Sequence, residues 1–335
     1  MGSFEEHLSQ NDRGIDAYLA SFFEDDAHPE INRYLYEPLA RYTANAGKRH
    51  RPLICILACE AVGGDAELAF PAAAAIEHFH TAALIHDDIA DASETRRGEP
   101  TMHISEGLGL AINAGDLALS LVTGTVVHAP NLPDALKLRV LAELVDMTTR
   151  TIEGQALDIG WARDNRFDLE VDDYLMMANL KTAYYSGAVP LAVGAIVGEG
   201  TEEQVEALRS FGLATGLAFQ IQDDILNLVG TREATKKDFR SDITEGKRTL
   251  VAVHTLRNSP DAARFEEILA MGTSDPALQD EAVEIAMRCG AIESARAYAK
   301  DLVSDAKVLL GDVLPESQAR SLLESMADFF VSRMN

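Results

Sequence analysis

The stretch Ile85-His86-Asp87-Asp88-Ile89-Ala90-Asp91 returns almost unchanged as Ile221-Gln222-Asp223-Asp224-Ile225-Leu226-Asn227. In each copy an oxygen-bearing side chain stands four residues after the first aspartate. On an α-helix positions i and i+4 share a face, so Asp87 with Asp91, and Asp223 with Asn227, are predicted to point the same way. Carboxylates set among apolar helical residues are costly to bury unless something positive neutralises them. Oxygen ligands of this kind suit Mg²⁺, which keeps several waters and is commonly shared with substrate phosphates. Two copies in one chain therefore imply a metal–diphosphate site between two facing helices. Asp87 and Asp223 lie 136 positions apart with no short fixed period around them, so the copies are not units of a solenoid.

The surrounding pattern is helical. Asp65, after Gly63-Gly64, is predicted to cap the alanine-rich segment leading into Asp87. Asn131-Leu132-Pro133 opens a helix whose apolar positions Leu136, Val140, Leu144 and Met147 keep helical spacing towards Ile152. Leu322, Met326, Phe329 and Phe330 form one stripe near the C-terminus. The segment from Leu108 to Val127 is apolar enough to resemble a membrane span, but Asn113 and Asp116 sit at its middle, so a buried helix in a large bundle is predicted. No alternating strand and no Pro/Gly/Ser-rich linker is visible. Two loop-like stretches, Ala92 to His103 and Gly230 to Thr249, each directly follow an aspartate motif. The reading is all-α and single-domain.

The chain has 335 residues, 47% apolar and 25% charged, which places it among globular proteins. Its formal charge of −25 argues against a nucleic-acid surface, which needs a basic footprint, and against tight attachment to an anionic membrane. The basic residues Lys48, Arg49, Arg51, Arg96, Arg97, Lys236, Lys237, Arg240, Lys247 and Arg248 gather in short runs beside loops, the pattern expected of anion binding. Of the three cysteines, Cys55 and Cys59 read as core filling. No signal peptide is visible, and a cytoplasmic location is expected.

Taken in chain order, the motifs resemble the all-trans polyprenyl diphosphate synthases, most of all bacterial geranylgeranyl diphosphate synthases. The matching residues are Gly47-Lys48-Arg49-His50-Arg51-Pro52, His80 through Asp91, Arg96-Arg97-Gly98, Glu153-Gly154-Gln155, Lys181-Thr182, Phe219 through Asp224, and Asp242 through Leu250. The resemblance implies an all-α, single-domain antiparallel helix bundle over residues 1–335 with a central substrate cavity. It implies a prenyltransferase joining isopentenyl diphosphate head-to-tail to an allylic diphosphate (dimethylallyl, geranyl or farnesyl). Its cofactor would be Mg²⁺, about three ions to a site, with Mn²⁺ able to substitute.

Within that resemblance, Asp87, Asp91 and Asp223 would bridge the metal to the leaving diphosphate and neutralise the charge developing there. Asp88, Asp224 and Asn227 would hold metal-bound waters. Arg96, Lys181, Lys237 and Lys247 would clamp the same diphosphate, with hydrogen bonds from Thr182 and Gln220. Lys48, Arg51, His80 and Arg97 would hold isopentenyl diphosphate, Arg by bidentate contacts and Lys as a movable point charge. No protein base stands out, and the released diphosphate is the implied proton acceptor. A homodimer is also implied.

Two places depart from the family pattern. Asn227 stands where aspartate is commoner, keeping an oxygen but losing a charge. Lys236 and Arg240 stand where glycines usually flank the next lysine, which puts the role of Lys237 in question. Product length depends on the wall below the first motif. At ~1.5 Å rise per residue, Ala83 lies roughly 6 Å and Phe79 roughly 12 Å below Asp87 on nearly the same face. Ala82 and Ala83 are small enough to let a tail pass and Phe79 can stop a longer one. A twenty-carbon geranylgeranyl product is expected, with farnesyl or C25–C40 products as the alternative.

Three rival readings are weaker. A class I terpene cyclase would want other residues at Asn227 and Thr231, and has no use for the basic set at Lys48–Arg51 and Arg97. A non-catalytic regulatory subunit would have lost metal or diphosphate residues that this chain keeps. A di-iron bundle would need two Glu-x-x-His signatures, and only Glu77-His78-Phe79-His80 matches.

Overall fold

The computed structural model describes residues 3–10, 14–23, 28–45, 47–230 and 239–332. Thr231, Lys236 and Lys237 lie outside the described residues. The rest is helical nearly throughout, as the spacing predicts. The helices that position the site are α1 (Ile15–Ala20), α2 (Glu37–Ala44), α3 (His50–Ala61), α4 (Phe70–Ala90), α5 (Leu108–Val127), α6 (Asp134–Arg163), α7 (Val171–Ala178), α8 (Val189–Val197), α9 (Glu202–Val229) and α10 (Leu250–Asn258). Contacts group the chain into two compact units, each assembled from separate stretches. Met1–Thr148, Val189–Leu208 and Val313–Ser325 form the first, and Thr149–Ala188, Arg209–Asp312 and Met326–Asn335 the second.

The first unit is built on α4. Asp65 starts it as predicted: its carboxylate accepts from the Glu67 N–H and caps a short 3₁₀ turn, Ala66–Ala69, that runs into α4. Pro71 occupies the first turn, where a missing N–H costs nothing. Along the helix Ala82 and Ile85 share one buried cluster with Ala111, Ala114 and Ala118 of α5, small side chains that let the two helices approach closely. On α8, a Cβ at Gly194 would lie 2.0 Å from the Cys55 carbonyl oxygen of α3, so only glycine fits. Cys55 and Cys59 fill this core as predicted, and burial pushes both thiols up, Cys59 to about 12.

α5 has its predicted span, but its expected burial is only half met. Asn113 and Asp116 are exposed, and so are Leu108 and Ile112, the latter by 42%. Apolar composition on every side does not guarantee cover on every side, and within this chain only the alanine face is packed. α6 begins after Pro133 as predicted and continues past Ile152 to Arg163. Val140, Leu144 and Met147 are fully buried, whereas Leu138, Val145, Ile152 and Ile159 recur at seven-residue spacing on its exposed side, Leu138 at 70%.

One small element was not foreseen. The loop after α4 holds a minimal antiparallel hairpin, Thr95–Arg96 (β1) paired with Glu99–Pro100 (β2). Strands of two residues carry no alternation to read. Arg97 and Gly98 form the turn with φ of 53° and 87°, the twist that suits a two-residue hairpin.

His78, on the buried side of α4, meets the Phe22 and Phe23 rings edge-on, and neither of its ring nitrogens has a hydrogen-bond partner. Burial, with help from the Arg49 charge, lowers its pKa to about 4. The unfolded chain takes up this proton near pH 6.5 and the folded chain resists it until near 4. Stability is therefore intact above that upper value and declines as pH falls through the window, by about 2 kcal/mol at pH 5. Urea unfolding at pH 7 and pH 5 is expected to show this decline shrinking by about that amount in His78→Leu. An identical pH dependence in both proteins would refute it.

Candidate active site

In the first unit, α4 ends at Ala90, and Asp91 closes its last turn by donating its N–H to the Asp87 carbonyl at 2.9 Å. Asp87 and Asp91 therefore sit one turn apart, both half-buried. Asp88 points inward and is only 1% exposed. Its Oδ1 accepts from Arg96 Nε at 2.7 Å and its Oδ2 from the Tyr42 hydroxyl at 2.8 Å. Strand β1 thus carries Arg96 back to the helix end, where Nη2 also comes within 3.7 Å of Asp87 Oδ2. Burial and the Asp88 charge push the Tyr42 phenol up, so it remains a donor.

The basic run before α3 divides by role. Arg49, at φ 53°, folds inward and donates to Glu77 Oε1 at 2.6 Å, Asp16 Oδ1 at 2.7 Å and the Thr43 carbonyl at 2.6 Å, so its charge is spent on structure. Lys48 is exposed, Arg51 is buried, and Arg97 donates to the Asn45 carbonyl at 2.5 Å. Burial, then the charges of Arg51, His50, Arg97 and Arg96, hold His80 well below its ordinary pKa, so its imidazole is neutral.

In the second unit, α7 passes into a ten-residue π-helix, Asn179–Ala188, which carries Lys181 and Thr182. Such wide turns gather at functional sites. It packs tightly on α6: a Cβ at Gly154 would lie 2.2 Å from the Lys181 backbone nitrogen. From Thr182 a relay runs inward. Its hydroxyl donates to Gln220 Oε1 at 2.7 Å, Gln220 Nε2 donates to Asp224 Oδ1 at 2.6 Å, and the Tyr174 hydroxyl donates to Asp224 Oδ2 at 2.8 Å. Lys181 pairs with Asp158, and Lys247 with Glu245 at 2.6 Å. Trp161, nearly buried, follows Asp158 one turn later on α6.

Asp158, Lys181, Gln220, Asp224, Asp242 and Lys247 line one chamber. Burial, then the Asp242 charge, push the Asp224 carboxyl well up, against the pull of the Gln220 and Tyr174 bonds. Burial raises Asp242 to about 7 although Lys247 pulls the other way, with Glu245 and Asp158 adding to the rise. For Asp158, burial raises the carboxyl but Lys181 and Lys247 outweigh it, and it ends below the usual range. The chamber thus sets three carboxyl groups, two of them held up by burial, beside two lysines. Among the described residues no three His, Cys, Asp or Glu side chains gather on one point. An ion here would meet few protein oxygens and fill its shell with water or phosphate oxygen, which is the habit of Mg²⁺, and the all-oxygen donor set fits that ion.

Three residues lie below the first motif. Phe79 is buried and Ala83 half-buried, but Ala82 is committed to the α5 contact. Tyr42, Tyr174, Asp158 and Asp242 were given no role by the sequence reading. Tyr42 and Tyr174 act on carboxylates 46 and 50 residues away, which no local pattern announces. Asp242 does lie inside a motif given above, and Asp158 follows Glu153-Gly154-Gln155 by three residues.

The chain matches the Polyprenyl synthetase family over residues 32–286. It is 43% identical over 287 residues to the short chain isoprenyl diphosphate synthase of Methanothermobacter thermautotrophicus, covering 86% of each chain. Its fold is similar to that of geranylgeranyl pyrophosphate synthetase from Pyrococcus horikoshii Ot3, with TM-score 0.89, 35% identity and 98% of each chain covered. The same holds for geranylgeranyl pyrophosphate synthase from Corynebacterium glutamicum, solved in complex with isoprenyl diphosphate and magnesium, at TM-score 0.86, 29% identity and 98% of each chain. With its all-α fold and the order of its charged motifs, the chain belongs to the polyprenyl synthetase family.

Proposed function

We propose that the chain is a prenyltransferase that condenses isopentenyl diphosphate with an allylic diphosphate and stops at geranylgeranyl diphosphate. The observation that carries this reading is the chamber of buried, up-shifted carboxyls beside two lysines, which calls for a cation and an anion together. By the resemblance, Asp87 and Asp91 of the first unit and Asp223 of the second would hold Mg²⁺, about three ions to a site with Mn²⁺ as substitute. Bound metal would supply the positive charge that lets the allylic diphosphate depart. Asp88 and Asp224, each steadied by a tyrosine hydroxyl, would hold metal-bound water. Arg96, Lys181 and Lys247 clamp the leaving group with Thr182 and Gln220, and Lys237 is assigned there by the resemblance.

Isopentenyl diphosphate is held by Lys48, Arg51 and Arg97, and the neutral His80 can donate a hydrogen bond without a further charge. The departing diphosphate takes the proton. The seven-residue apolar stripe on α6 supports a homodimer, because an exposed row of this kind is suited to a second copy of the chain. The free thiols of Cys55, Cys59 and Cys289 suit a reducing cytoplasm.

Incubation with isopentenyl and dimethylallyl diphosphates and Mg²⁺ is expected to yield a twenty-carbon product. Phe79→Ala is expected to lengthen it by one or more five-carbon units, read by mass. A dominant forty-carbon product from the natural chain would overturn the role of Phe79, and no prenyl product at all would overturn the function.

A further inference from the structure

The end of α9 carries a set of contacts that the ion chemistry does not use. Asn227 holds three consecutive residues. Its carbonyl oxygen accepts from the Arg240 N–H at 2.8 Å, its Nδ2 donates to Ser241 Oγ at 3.0 Å, and its Oδ1 accepts from the Asp242 N–H at 3.2 Å. Asn227 and Asp242 are both buried. Arg240 stands where the family pattern has a glycine, and it adopts a glycine's backbone, at φ 61°. Its side chain offsets that strain: Nη1 pairs with Asp280, Nε donates to the Leu228 carbonyl at 3.4 Å, and the guanidinium lies 4.6 Å from the Phe239 ring centre. Farther on, the Lys247 N–H donates to the Asp242 carbonyl at 2.8 Å, so bonded contacts run unbroken from Asn227 to Lys247.

We propose that Asn227 is a positioning residue: its grip on residues 240–242 sets the Asp242 carboxylate, and through it Lys247, in the chamber, in place of offering an oxygen to a metal ion. The two departures from the family pattern then belong together, as two ends of one clasp. Asparagine closes it without adding another carboxylate beside Asp224 and Asp242. The inference rests on the diphosphate reading of the chamber, but it can be tested apart from that reading.

Four proteins decide it: Asn227→Ala, Ser241→Ala, the double change, and Asn227→Asp. Steady-state assays with an allylic diphosphate should show Asn227→Ala raising KM roughly tenfold and Ser241→Ala roughly threefold. The double change should be no worse than Asn227→Ala, and the Mg²⁺ requirement should not move in any of them. Asn227→Asp, whose oxygens can accept from both Ser241 and Asp242, should restore KM. A sharply raised Mg²⁺ requirement in Asn227→Ala with a silent Ser241→Ala would overturn the proposal, as would a lowered requirement in Asn227→Asp. Thermal melts of the same proteins need no substrate. Losses that fail to add between positions 227 and 241 support the clasp even if prenyl transfer is never seen, and fully additive losses overturn it.

Discussion

Asp223→Ala is expected to slow prenyl transfer roughly 10³-fold, the largest loss from any single change in the second aspartate motif. The structure separates the three oxygen-bearing positions of that motif by what surrounds them. Asp224 accepts from Tyr174 and Gln220, and Asn227 grips the turn at residues 240–242. Asp223 is the half-buried member and the one assigned to the ion that neutralises the leaving diphosphate. Losing it removes stabilisation that matters most as charge develops, so kcat should fall more than KM rises. Asn227→Ala should cost far less, about tenfold. Initial rates at saturating Mg²⁺ compare the two, and equal losses would contradict the assignment of Asp223.

The second large effect concerns packing. Gly154→Ala is expected to destabilise the protein by about 3 kcal/mol and to weaken turnover with it. The added methyl would meet the backbone of Lys181 at 2.2 Å and of Leu180 at 2.8 Å, and backbone cannot step aside as the tip of a flexible side chain can. To make room the π-helix must shift, and Lys181 and Thr182 shift with it. Gly160 is the control on the same helix, because a Cβ there would meet nothing within 4 Å. Gly160→Ala should be neutral or stabilising by up to about 1 kcal/mol through helix propensity. The urea midpoint is expected to fall in Gly154→Ala and to hold or rise in Gly160→Ala. A harmless Gly154→Ala would mean that the close approach of α6 and the π-helix is not needed.

Much of this was legible in the chain because it is local. Helical spacing, the Asp65 cap and Pro133 mark where α4 and α6 begin, and the i, i+4 rule places Asp87 beside Asp91. What escaped depends on residues far apart in sequence. Nothing near Asn179–Ala188 announces a π-helix, and the close approach it makes is to Gly154 on another element. Arg240 looked like a lost glycine, yet its positive φ shows that the conformation was kept and supported by Asp280. Composition likewise could not tell a helix covered on all sides from α5, where one face alone is packed.

The chain has one tryptophan, and it lies a single turn from the carboxylate that pairs with Lys181. Emission from that indole therefore originates one helical turn from Asp158, the partner of the lysine proposed to take up the diphosphate. The protein comes with its own optical reporter, and a stopped-flow fluorimeter could time ligand capture without any attached dye.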